Sequence, residues 1–196
     1  LTIGAGTVEI GGDGTFEGGS WPNAMINNGT FHYNSTVDNT MAGVISGTGD
    51  LVKGNTSTLT LNGNNTYTGQ TTINGGVLVL NNPSGGAYAY RGGDININNG
   101  STLRISKTGH DQYWFDGKSF IFDANGGGTI DTTSGMNVVV YGGSTVATSG
   151  GAQNSIIGSS GINLHNSDTL TFDVAAGTGP VDLQVSAPLW NAGGII

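Results

Sequence analysis

The sequence predicts an all-β fold wound as a parallel β-solenoid, and three observations carry that prediction. Apolar and polar residues alternate with a period of two in short runs along the whole chain, the pattern of half-buried strands. Clusters of Gly and Asn, the residues that accept φ > 0 with least strain, separate those runs. A grammar of strand, small-residue corner and apolar strand recurs. Gly occurs 37 times in 196 residues and only 9% of residues are charged, where ordinary domains have about 7% Gly and about a quarter charged residues. The glycines follow no three-residue period, which excludes collagen, and the recurring Leu, Ile, Val and Thr exclude a disordered acidic tail.

The elements can be taken in order. Leu1-Thr2-Ile3 opens as a strand, and residues 4–10 echo the Thr58-Leu59-Thr60-Leu61 run. Trp21, Phe31, His32 and Tyr33 are expected to pack a coil or an end of the stack. Clean alternation then marks strands at 57–62, 77–80, 94–98, 102–105, 119–123, 137–140 and 168–174. Turn clusters fall at 11–14, 62–65, 74–76, 125–128 and 149–151. No stretch keeps a 3.6-residue apolar period without a Gly or Asn interrupting it, so no helix is expected.

Short strands with regular turns fit an antiparallel sandwich or a parallel solenoid. Asn and Thr at strand edges, able to stack into ladders between coils, favour the solenoid. The corners also lack the two-residue Asn-Gly format of hairpins. Residues 43–53 and 185–196 share one grammar, so the chain repeats itself. At about 20–25 residues per coil the chain makes roughly eight coils, and stacking at about 4.8 Å gives a rod of about 40 Å. The whole of 1–196 reads as one solenoid segment of a longer repeat protein, with both ends expected to continue. Residues 81–118 are expected to form a loop excursion.

Residues 43–80 carry a longer motif: Gly43, Ile45, Gly47, Gly49, Leu51, Lys53, Thr58, Leu59, Leu61, Gly63, Asn65, Thr66, Tyr67, Thr68, Gly69, Thr71, Ile73, Gly76 and Leu78. This segment resembles the autotransporter-associated β-strand repeat of bacterial passenger domains. Asn55 and Ser57 depart from it, standing where the pattern prefers Gly, and both suit a turn. The resemblance implies a right-handed parallel β-helix exported to the bacterial surface, held at the outer membrane by a C-terminal part outside this sequence. It ties the repeat to export and stalk-building and places function elsewhere in the passenger.

Charge narrows the partners. The net charge is −8, from 5 basic and 13 acidic residues. Five scattered cations do not neutralise a phosphate backbone, so no nucleic-acid partner is expected, and an anionic membrane surface is disfavoured equally. There is no Cys and no run of 18 apolar residues, which removes disulfides, thiolate sites and a transmembrane helix.

Chemical motifs fail one by one. His32, His110 and His165 lie far apart in sequence and form no zinc pattern. No Ser sits in G-x-S-x-G. Gly117-Lys118-Ser119 ends like a phosphate loop, but Gln112 replaces the upstream Gly and a strand follows where a helix is required. Residues 11–16 resemble a calcium-binding turn with Phe16 in place of the ligand, and 94–105 resembles an EF-hand loop that ends in Ile105 instead of Glu. His110 and Asp111, and the pairs Asp111 with Asp116 or Asp123 with Asp131, are the nearest approach to an acid–base site. No catalytic residue, metal or cofactor is expected.

A carbohydrate platform is the best-defined alternative. Tyr88, Tyr90, Arg91, Tyr113, Trp114 and Asp116 would combine aromatic rings with a guanidinium and a carboxylate on the side of a rod. The expected function is a non-enzymatic stalk in adhesion or surface structure, with a cell-surface, matrix or glycan ligand as partner. The alternatives are a carbohydrate-binding or polysaccharide-active β-helix, and a filament subunit that associates end to end through open β-edges.

Overall fold

A strand with one apolar side must have that side covered. The computed structural model describes residues 1–82, 88–107, 112–133, 137–158, 161–164 and 169–190, and covers it by winding the chain into a parallel β-solenoid. Each coil visits three faces in turn. In the second coil the strands are Met25–Asn27, Thr30–Ser35 and Asn39–Met41; in the third they are Ile45–Ser46, Asp50–Lys53 and Thr58–Leu61. The second and third faces each stack eight strands, beginning at Thr7–Gly12 and Ser20–Trp21 and ending at Leu170–Val174 and Leu183–Val185.

The first face is divided. A three-stranded sheet ends at Ile45–Ser46, and a five-stranded sheet begins at Tyr88–Tyr90. Between them the 65–68 segment forms no strand, yet the amides of Thr66 and Thr68 donate to Ile45 and Gly47 carbonyls at 2.8 and 3.0 Å. The described residues hold no α-helix, only a short 3-10 turn at Glu17–Gly19.

Within 81–118, where a loop excursion was expected, four strands continue the stack: Tyr88–Tyr90, Ile95–Ile97, Thr102–Lys107 and Gln112–Asp116. They pair in register with the coils on either side. Of the aromatic residues in this region, Tyr90, Tyr113 and Phe115 are core residues of two successive coils. Residues 83–87 and 108–111 lie outside the described residues. The echo between 4–10 and 58–61 is not structural equivalence, since Thr7–Gly12 lies on the second face and Thr58–Leu61 on the third.

Parallel register converts period-two alternation into inward columns. On the third face Leu59, Leu78, Leu103, Ile130 and Ile156 stack in one column. All five are at most 5% exposed, and burying each such side chain contributes about 1.5–3 kcal/mol. On the second face one column runs Ile10, Tyr33, Lys53, Ile73, Ile97, Phe122, Thr148 and Val174. Outside, amides form ladders between coils: Asn98 donates to Asn74 at 2.9 Å, Asn125 to Asn99 at 2.8 Å and Asn81 to Asn62 at 2.6 Å.

The corner between the first and second faces is a column of glycines. A Cβ on Gly29 would stand 2.2 Å from the Gly6 carbonyl oxygen, one on Gly49 2.2 Å from that of Gly29, and one on Gly69 2.2 Å from that of Gly49. Backbone there is in contact with backbone, so a side chain forces the coils apart. Gly49→Ala is expected to destabilise by about 1–3 kcal/mol, the range for overpacking. Gly4→Ala, where a Cβ meets nothing within 4 Å, is expected to change stability little. Urea midpoints of the two variants check this, and equal midpoints would refute the close-packed corner.

Candidate functional site

Five of the six residues of the expected glycan platform lie on two adjacent strands, where Tyr88 pairs with Tyr113 and Tyr90 with Phe115, and Arg91 directly follows the first of these strands. Alternation then divides them between two sides. Tyr90 and Tyr113 face the interior at 5% and 7% exposure, and both rings pack on Phe115, with centroids 5.4 and 5.3 Å away. Trp114, between Tyr113 and Phe115 in sequence, is half-buried, and Arg91 and Asp116 are exposed. The side chain of Tyr88 lies outside the described residues, as do His110, Asp111 and His165.

Asp123 and Asp131, one of the carboxylate pairs considered for acid–base chemistry, have local partners. Asp123 accepts from the Asn125 side chain at 2.9 Å and from the Asn99 amide at 3.2 Å. Asp131 pairs with Arg104 Nε at 2.7 Å. Asp94 accepts the Ser119 amide at 2.8 Å, which gives the 94–98 run a role in joining coils. His32 pairs with Glu9 through Nδ1 at 2.8 Å on the outer side of the second face, while Phe31 and Tyr33 fill the core. Phe16 packs against Trp21, with ring centroids 4.8 Å apart. Among the described residues no three His, Asp or Glu side chains gather around a common point.

A polar depression of about 270 Å³ opens on the outer side of the third face, lined by Gly19, Asp38, Asn39, Thr40, Thr58 and Thr60. Asp38 Oδ1 accepts the Thr58 amide at 2.7 Å. Hydroxyls and a single carboxylate of this kind can bind by hydrogen bonding but do not make a two-carboxylate hydrolase.

The chemically unusual positions lie inside the rod. Thr71 stands in an inward column between Leu51 and Ile95. Its Oγ1 lies 2.7 Å from Tyr67 Oη and 2.7 Å from Tyr90 Oη, a buried chain of three hydroxyls. Lys53, fully buried, follows Leu51 by two residues and therefore points inward as well. Its Nζ donates to the carbonyl of Gly54, to that of Asn55 at 3.1 Å and to that of Gly75 at 3.3 Å. In the sequence Lys53 stands out only as a position of the repeat motif. The spacing Leu51-x-Lys53 within a strand was the signal that it faces the core.

Fold and register together define a parallel β-solenoid segment whose third and fourth coils have polar groups built into the interior. Residues 51–80, within those coils, match the family model of the Passenger-associated-transport-repeat. The chain is also 55% identical over 56 residues to the Neisserial autotransporter lipoprotein NalP of two Neisseria meningitidis serogroup B strains. That match covers 24% of this chain and 5% of each relative. No solved structure matches the chain. The segment read as a repeat at 43–80 therefore contains a passenger repeat, and it makes up the third and fourth coils of the stack.

Two predictions follow from the interior groups. Thr71→Val leaves two buried tyrosine hydroxyls without their shared partner, which is expected to destabilise by about 1–3 kcal/mol. Thr72→Val, at the half-exposed neighbouring position, serves as the control. The second concerns pH. Burial pushes the Lys53 ammonium down from 10.5 to about 8, with the Asp38 carboxylate pulling the other way. Between those values the unfolded chain holds more protons than the folded one, so stability rises with pH. Burial pushes the Tyr67 and Tyr90 hydroxyls above their ordinary 10.0. Above pH 10 the folded chain then holds more protons, and stability falls as pH climbs. Urea midpoints are expected to increase from about pH 8 to 10 and decrease beyond it; a steady decline from pH 8 would contradict a desolvated ammonium.

Proposed function

We propose that this chain is a rod segment of an exported, autotransporter-type passenger, standing at the bacterial surface as a non-enzymatic stalk with a structural or adhesive role. The observation that carries the proposal is the passenger repeat at 51–80 lying in register within faces that stack eight strands deep. The parent protein is held at the outer membrane by its translocating part, and the rod sets how far its outer end reaches from the cell. Contacts between strands run from each coil to its neighbours, so length can be added without altering the cross-section.

A second reading is supported by one observation. Arg91 and Asp116 are exposed next to the outward Trp114, a combination suited to stacking on a sugar ring with hydrogen bonds at its rim. On this reading the stalk also binds a glycan along its side.

The test is to place the chain between a secretion signal and an autotransporter barrel in a Gram-negative host. Intact cells are expected to display it, as read by antibody labelling, in a form that added protease trims slowly. Retention in the periplasm, or rapid digestion at the surface, would refute the stalk. Purified chain is expected to release no reducing ends from a polysaccharide panel, and release would refute the non-enzymatic reading. A glycan array with the natural chain and Trp114→Ala decides the second reading.

A further inference from the structure

The second-face column from Ile10 to Val174 contains one charged member, Lys53. Tyr33 and Ile73, both buried, fill the positions on either side of it, and dehydrating an ammonium is unfavourable unless its donors are matched. An inward lysine in such a column therefore needs a structural reason, and the adjoining corner provides one. In the third coil the corner after Lys53 has four residues, 54–57, whereas in the fourth it has three, 74–76. The step from Thr58 to Val77 is consequently 19 residues, one less than the 20 from Leu51 to Thr71.

Shortening a stacked corner by one residue removes one backbone N–H from the set that serves its carbonyls. Asn55 takes up φ 55°, and Gly75 approaches so closely that a Cβ would lie 2.7 Å from the Asn55 oxygen. The carbonyls of Gly54 and Asn55 in one coil and Gly75 in the next converge on the Lys53 Nζ. An ammonium has three donors, one for each of the three oxygens.

We propose that Lys53 is an internal latch, which replaces the missing corner amide and fixes the register of the fourth coil on the third. It acts inside the passenger repeat, and it holds whatever the rod as a whole carries.

The experiment is hydrogen exchange on the full chain and on Lys53→Met, which keeps length and apolar bulk but removes every donor. The reporters are the amides of Asn74 and Val77, bonded to the Lys53 and Ser57 carbonyls at 2.7 and 3.1 Å. The references are Thr129 and Ser155, bonded at 2.9 and 3.0 Å in distant coils. With three buried acceptors left unmatched, exchange at the reporters is expected to accelerate about tenfold to a hundredfold while the references hold. Inserting one Gly between Asn74 and Gly75 in Lys53→Met restores a four-residue corner and is expected to recover protection. Unchanged reporters, equal loss at reporters and references, or failure of the insertion to rescue would each overturn the latch. If Lys53→Met does not fold, amine acylation of the unaltered chain at neutral pH decides. Lys53 should label far more slowly than the half-exposed Lys118, and equal labelling rates would overturn the proposal.

Discussion

Backbone amides and carbonyls of each coil find their partners in the coils on either side, and almost none within the coil itself. From that constraint the other features follow. Strands must run parallel and in register, so every inward residue lies beneath another inward residue and the core becomes a set of columns. Corners must stack as closely as strands do, near 4.8 Å apart, which leaves no room for a Cβ where backbone meets backbone. Gly29, Gly49 and Gly69 stand at such contacts. The glycine content and the low charge of the chain are two consequences of one geometry: corners that must be bare, and a surface satisfied by amide and hydroxyl ladders more than by ions.

The same constraint explains why a polar interior is tolerated in the passenger repeat. A column position is shared by successive coils, so a group that is awkward in one coil can be satisfied by the next. Thr71 lies between Tyr67 and Tyr90, drawn from its own coil and the following one, and each hydroxyl gains a partner. The aromatic rings carry this support onward, Tyr90 against Phe115 and Phe115 against Phe120, with centroids 5.4 and 5.0 Å apart. Farther along, the core residues shrink to Val138, Val140, Val146 and Ile156, and a cavity of about 20 Å³ remains among them.

Much of this was legible because period-two alternation survives in the chain wherever one side is buried. The runs at 57–62, 77–80, 102–105 and 119–123 are strands at nearly those limits, and the Asn ladders stand at the corners where turn clusters were read. The segment 81–118 was misread for an identifiable reason. Tyr90, Tyr113 and Phe115 are large, and in a sequence otherwise built from Leu, Ile and Val they suggest a separate patch. They are instead the filling of two successive coils, and only the register of Tyr90 on Phe115 reveals which side they take. The platform residues were read as parts of a loop excursion, and even paired strands do not say which residues share a face until the phase of each strand is known.

Lys53 shows where sequence reasoning lacked a step. Its phase relative to Leu51 put it inside, and its charge argued that it should be outside. The conflict is resolved by corner lengths, which are visible in a sequence only after strand limits are fixed to the residue. One residue fewer in the 74–76 corner than in 54–57 leaves carbonyl oxygens without amides, and a long side chain ending in three donors is the available remedy. A solenoid coil meets only its neighbours, so an error in register would pass to every coil beyond it. A charged group that is satisfied in one register alone penalises slippage more strongly than another aliphatic residue in the same column.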